Sequence, residues 1–197
     1  ALAILTIVFV TNIFGTKSAA VVQKILVAAL IAGLLSFILF GIIEVDYSYV
    51  FPPENMFLNG PRSFLTAAAL LTFSTSGALT VSELGGEAKN AARDLPVAMI
   101  GSTLFVGVLY ALISLVASGV LPWEQVANQP LSLVANEILP RPFFYVFLIG
   151  AALGATATTM NATFSWVTKP VMIACDDGWF PRKLAEVNKK FGTPHYL

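Results

Sequence analysis

Charge is what this chain has least of. Only 11% of its 197 residues are Asp, Glu, Lys or Arg, and eleven bases balance eleven acids. Soluble domains carry about 25% charged residues, so a water-facing globular surface is excluded. A formal charge of zero argues against nucleic acid as a partner. Cys175 is the only cysteine, which excludes an intrachain disulfide and a cysteine-based metal site. His195 is the only histidine, lies in a polar tail and is assigned no role. The chain has no HExxH, no GxSxG with triad partners and no phosphate-binding loop. An enzyme needs an acid–base or metal constellation; none is legible, so no catalytic residue, metal or cofactor is assigned and the chain is expected not to be an enzyme.

What is present is apolar: 57% hydrophobic residues and a mean hydropathy of +0.81. A spanning helix needs about 20 mostly apolar residues. Five segments fit or nearly fit: 1–15 (short), 21–43 with Lys24 near enough to its end to snorkel, 63–85, 97–120 and 142–168. The expected fold is all-α, a multi-pass transmembrane helical bundle in a single domain, 1–197, with a tail at 169–197. The opening run from Ala1 reads as part of a fragment rather than a signal peptide, because no small-residue cleavage site with a soluble domain follows. Pro96, Pro122, Pro142 and Pro170 fall at or near segment ends, where a missing amide donor is least harmful.

Alternation sorts the loops. Segments 16–24, 86–96 and 169–197 hold Lys17, Lys24, Lys89, Arg93, Lys169, Arg182, Lys183, Lys189 and Lys190, nine of the eleven bases. Segments 44–62 and 121–141 hold only Arg62 and Arg141, with Glu44, Asp46, Glu54, Glu124 and Glu137. Basic residues collect on the cytoplasmic side, so the loops 16–24 and 86–96 and the C-terminal tail are expected there, in a cell membrane. Tyr47, Tyr49 and Trp123 sit where interfacial aromatics belong. Two short amphipathic stretches flank Pro130, at 123–127 and 131–139. They either cap the outer mouth of a bundle or lie along the interface.

Several motifs are candidates for chemistry. Phe73, Ser74, Thr75, Ser76, Gly77 and Ala78 lie mid-way along the third segment. A helix that unwinds there frees amides for a carboxylate and carbonyls for an amine, which suits an amino acid without any buried charge. The competing reading is a close helix–helix contact through small residues. Glu83, a turn before the charged end of that segment, is either a coupling residue at membrane depth or a side chain reaching the interface. Glu87, Lys89, Arg93 and Asp94 then form a mixed-charge turn that anchors the helix end.

In the fifth segment Thr156, Thr158, Thr159, Asn161, Thr163 and Ser165 put polar groups into an apolar helix. Hydroxyls at spacing three to four either coordinate Na⁺ or bond back to their own carbonyls. Asn161 is the hardest to bury, so it is expected to face protein or water. Asp176 and Asp177, flanked by Lys169, Arg182 and Lys183, read as a loop ion-pair cluster rather than a metal site.

Phe73–Ala78 with Glu87-Ala-Lys-Asn90 and Arg93-Asp-Leu-Pro96, then Ala174-Cys-Asp-Asp-Gly-Trp-Phe-Pro181 with Gly192-Thr-Pro194, and Asn12-Ile-Phe-Gly-Thr-Lys17 with Val22-Gln23, occur in one order. Together they resemble the amino acid–polyamine–organocation (APC) superfamily of transporters, over nearly the whole chain. The resemblance implies helices four to eight of a LeuT-like fold of two inverted repeats, with a discontinuous helix six whose unwound segment binds the substrate's backbone. It implies that Phe73 closes over the substrate and that Gly77 marks the break. Thr75 stands where that family often has tyrosine, and Ala78 where a bulky aromatic often gates. Gly86 and Ala91 replace a glutamate and a proline of the following loop, and Leu30 stands where some proton-coupled relatives have a lysine. The implied function is secondary active transport of amino acids or related amines by alternating access. H⁺ or Na⁺ is a possible coupling ion, and the partners are a small-molecule substrate, the lipid bilayer and the missing helices of a longer chain. The alternative is a structural or regulatory membrane protein that uses its Ser, Thr and Gly faces only for packing.

Overall fold

In a computed structural model, residues 2–13, 16–50, 60–188 and 193 are described. They fold as helices: α1 (Leu2–Ile13), α2 (Thr16–Gly41), a single turn α3 (Tyr47–Val50), α4 (Pro61–Thr75), a 3-10 segment (Ser76–Glu87) and α5 (Ala91–Gly119). Two short helices follow, α6 (Trp123–Val126) and α7 (Ser132–Ile138). A long composite helix comes next: α8 (Arg141–Phe147), a π-helical turn (Leu148–Leu153), α9 (Gly154–Trp166) and α10 (Thr168–Asp176). A 3-10 turn at Arg182–Ala185 ends the series.

Four stretches are long and apolar enough to cross a membrane: Ser18–Gly41, Pro61–Ser82, Ala91–Gly119 and Arg141–Asp176. The protein is thus a membrane-embedded helical bundle. The first expected span is the 12-residue α1.

Helices extend beyond the apolar windows. Residues 16–24, expected as a loop, are the first turns of α2. Of the expected loop 86–96, only residues 88–90 lie outside helices, and α5 starts at Ala91. Likewise 169–176, expected as tail, continues the last helix as α10. Hydropathy follows the lipid boundary, whereas backbone hydrogen bonding carries on into polar sequence. Asp94 in the first turn of α5 suits the positive end of the helix dipole. Pro96 and Pro170 therefore lie inside helices rather than before them, close to their starts, where few bonds are lost.

The chain forms two compact units, one from Ala1–Leu34 with Tyr145–Leu197, the other from Leu35–Phe144. In the first, α2 crosses the π turn with almost no side chain between the backbones. A Cβ at Gly150 would collide with the Ala29 carbonyl, and one at Gly33 would lie 3.0 Å from the Ala151 amide nitrogen. Glycine is required there by close approach. Phe9 of α1 meets Phe164 of α9 edge-on, with ring centroids 5.9 Å apart.

In the second unit, the stretch 131–139 packs inward through buried Val134, Ala135 and Leu139. A Cβ at Gly41 would collide with Val116 and Ile138. The 131–139 stretch therefore covers one end of the α2–α5 pair. Asp46 ties the start of α3 to α5 by donating its N–H to the Gly119 carbonyl at 2.7 Å.

Candidate functional site

Two places carry the residues singled out by sequence, one in each unit. After Ser63 in the first turn of α4, which donates to the Gly60 carbonyl three residues back, the next hydroxyls donate to carbonyls four residues back: Thr66 to Arg62, Thr72 to Ala68 and Ser74 to Leu70, at 3.0, 2.9 and 3.2 Å. At Thr75 the spacing shortens to three. Thr75 donates to Thr72, Ser76 to Phe73, Thr80 to Gly77 and Ser82 to Leu79, all at 2.7–2.9 Å. The backbone changes at the same residue, from α to 3-10.

A 3-10 run of 12 residues is unusual, because its hydrogen-bond geometry is poorer and runs beyond 3–4 residues are uncommon. Glycines at 77, 85 and 86 remove the side-chain contacts that favour the α ladder. The hydroxyls reinforce the tighter one. The break expected between about Thr75 and Thr80 thus takes the form of a change of ladder. The backbone amides and carbonyls stay engaged in i to i+3 bonds rather than being released.

No residue of α4 is buried, and Phe73 is 80% exposed. Ser74, Ser76 and Gly77 are exposed, while Thr75 and Ala78 are half-buried. Gly77 has nothing within 4 Å of a Cβ placed on it among the described residues, and its φ is not left-handed. Close helix packing within this unit is therefore not what Gly77 serves. The side chains of Glu83 and Glu87 lie outside the described residues.

The second place is α9. Thr158, Thr159 and Thr163 donate to carbonyls of their own helix at 2.8–2.9 Å, and Thr156 to Ala152 at 3.3 Å. That leaves only oxygen lone pairs for a cation. The three coupling candidates divide between faces. Thr158 is 7% exposed on the inner side, whereas Thr156 and Thr159 are exposed. At 100° per residue, 156 and 158 point nearly oppositely, a signal already present in the spacing. The side chain of Ser165 lies outside the described residues.

One turn beyond Thr158, Asn161 is 1% exposed and joins three stretches of chain. Its Oδ1 accepts from Asn12 Nδ2 at 2.8 Å, and its Nδ2 donates to Gln23 Oε1 at 2.8 Å and to the Ala19 carbonyl at 3.1 Å. Asn12 also donates to the Val8 carbonyl of its own helix at 2.9 Å. Asn161 thus faces protein, as its burial demands. Sequence reading assigned no role to Asn12 or Gln23; the available signal was three neutral amide side chains within predominantly apolar helices.

Among the described residues no buried side-chain nitrogen or oxygen lacks a partner, and no group of three or more His, Cys, Asp or Glu residues is placed to hold a metal. Asp176 and Asp177 are exposed at the end of α10. His195, Gly192 and Pro194 lie outside the described residues.

A family model described as amino acid permease matches residues 1–197. The branched-chain amino acid permease BcaP of Bacillus subtilis (strain 168) is 33% identical over 186 residues, 92% of this chain and 38% of the relative. The methylthioribose transporter of the same organism is 27% identical over 91% of this chain and 38% of the relative. Cationic amino acid transporter 1 of Arabidopsis thaliana is 27% identical over 98% of this chain and 32% of the relative. The chain therefore spans about two fifths or less of the length of these curated relatives. No solved structure gives a significant match. A match along every residue, to a family of permeases built from membrane helices, makes the chain a member of the amino acid permease family.

Proposed function

We propose that this chain is part of a secondary active transporter that moves amino acids or related amines across the cell membrane by alternating access, binding substrate at Phe73–Ala78. The observation that carries the reading is the change of helix type at Thr75–Ser76, inside a membrane-length helix with no buried residue in its α-helical part. A 3-10 ladder holds its amides and carbonyls less well aligned than an α ladder. A substrate carboxylate or amine therefore competes for them more easily here than elsewhere in the span. Phe73, exposed beside them, supplies an apolar surface for the substrate side chain.

The relatives' names include branched-chain amino acids, cationic amino acids and methylthioribose, so the substrate test spans all three classes. The test is uptake by the full-length protein in proteoliposomes under imposed H⁺ or Na⁺ gradients. Saturable uptake of one class supports the reading, and the gradient that drives it identifies the coupling ion. Gly77→Leu is expected to abolish uptake while leaving membrane insertion and thermal stability unchanged, since its Cβ meets nothing in this unit. Normal uptake by that variant overturns the assignment of the site.

For coupling we propose Thr156, Thr158, Thr159 and Glu83 as the residues to test, with loops 86–96 and the tail cytoplasmic. The packing alternative draws on α9, where each threonine hydroxyl donates within its own helix. If Thr158→Val transports with unchanged ion dependence, the α9 hydroxyls are structural.

A further inference from the structure

The turn that ends α10 has a feature that the transport reading does not use. Its hydrogen bonds form a Schellman cap: Trp179 N–H donates to the Ala174 carbonyl at 2.9 Å and Gly178 N–H to the Cys175 carbonyl at 3.1 Å. Gly178 has φ +85°, the left-handed value such a cap needs. In this cap the residue after the glycine commonly packs its apolar side chain back onto the last helical turn. Here it does not. Trp179 is 82% exposed, Phe180 beside it 52%, and Ile173 on the last turn 58%. A rigid, fully bonded turn thus holds two aromatic rings and an isoleucine outward.

What surrounds that turn follows from the helix it ends. Arg141–Asp176 is 36 residues long, about 54 Å at 1.5 Å per residue. The hydrocarbon layer is about 30 Å thick, so a helix of this length has an end outside it, at or beyond the headgroups, even with tilt. Arg182 and Lys183 are exposed immediately after the aromatics, and Asp176, Asp177 and Glu186 are exposed nearby. The local charge is mixed rather than strongly basic. That suits the phosphate and amine of a zwitterionic headgroup and does not require anionic lipid. Tryptophan is the side chain most at home at this depth, with an apolar body and one N–H to hydrogen-bond.

We infer that the Trp179–Phe180 turn is a membrane-surface anchor, its rings seated at the headgroup–acyl boundary and Arg182 and Lys183 on the lipid phosphates. The anchor fixes the depth of the α10 end in the bilayer. It rests on membrane embedding alone and stands whether or not Phe73–Ala78 binds a substrate.

The test uses full-length protein in phosphatidylcholine vesicles, with Trp123→Phe and Trp166→Phe, and any tryptophan outside this chain, changed so that Trp179 is the one emitter. Emission is read against lipids brominated at defined acyl depths and against aqueous iodide. The expected result is blue-shifted emission, quenched most by bromines near the glycerol end, less by deeper ones and little by iodide. Quenching by iodide alone would mean a water-exposed turn, and protection from both quenchers a turn covered by protein; either overturns the anchor. Should the multiple variant not fold, the wild-type minus W179F difference spectrum in the same vesicles gives the same reading.

Discussion

Pro61–Ser82 and Arg141–Asp176 are both long and apolar enough to cross a membrane, and both are interrupted by glycine and small polar residues. Along the second, the glycine is under a backbone. Gly150 faces the Ala29 carbonyl so closely that no Cβ fits, and the local helix widens to a π turn. Its polar residue, Asn161, is enclosed by three partners. Along the first, Gly77 faces open space, the helix tightens to 3-10 and the hydroxyls bond only to their own turn. Small residues in a membrane helix therefore occur in two distinct settings. Where a neighbouring backbone lies against them, as at Gly150, they are packing. Where none does among the described residues of the unit, as at Gly77, packing within that unit does not account for them.

The comparison is broken most forcefully at Gly150. Gly150→Val is expected to destabilise the protein by about 3 kcal/mol, the upper range for overpacking, seen as a lower thermal midpoint and less monodisperse protein in detergent. A midpoint like wild type would mean that α2 and the π turn do not meet as described. Next is Asn161→Ala, which removes three interhelical hydrogen bonds. At roughly 0.6 kcal/mol each in a membrane protein, the loss is about 2 kcal/mol. Combining it with Gln23→Ala should add little, because the two share a bond. Full additivity in the double variant would separate the two residues.

Smaller still is Phe73→Ala. With the ring 80% exposed, the change in stability should stay within about 0.5 kcal/mol while uptake falls. A large stability loss would show that Phe73 is packing after all.

The smallest effect concerns Asp46, outside the spans. The Ser48 hydroxyl, then the Ser48 amide at 2.9 Å, hold its carboxyl below the ordinary value of 3.8. A depressed folded-state pKa stabilises the turn above the unfolded value and loses that support as pH falls through the lower one. Exchange of the Ser48 amide should therefore show more protection at pH 5 than expected from its value near pH 3, after correction for intrinsic rate. Asp46→Asn should remove the difference.

The spans themselves were legible because the bilayer sets a length that hydropathy reports. The helix ends were not. Polar starts such as Thr16–Lys24 and Ala91–Leu95 continue the backbone ladder after the apolar window has stopped. The interruption at Phe73–Ala78 could be read from glycine and hydroxyls, but not its form, since the same residues permit unwinding or a 3-10 ladder. Asn161 stood out by its cost of burial. Its partners did not, because Asn12 and Gln23 lie far away in sequence and periodicity says nothing of which helices meet. The π turn has no such signal: Leu-Ile-Gly-Ala-Ala-Leu reads as ordinary helix until Ala29 is known to lie across Gly150. The separation of Thr156 from Thr158 was available from helical geometry alone.

The 3-10 segment also sets how far this helix reaches. Twelve residues rise about 2.0 Å each in a 3-10 helix and 1.5 Å each in an α-helix. Converted to the α form, Ser76–Glu87 would shorten by about 6 Å, and its far end would turn by about 240°, twelve steps of 20°. Exchanging i+3 for i+4 bonds breaks no covalent restraint. Such a one-residue shift in hydrogen bonding would be a screw-like motion of the stretch between Thr75 and the turn at 88–90.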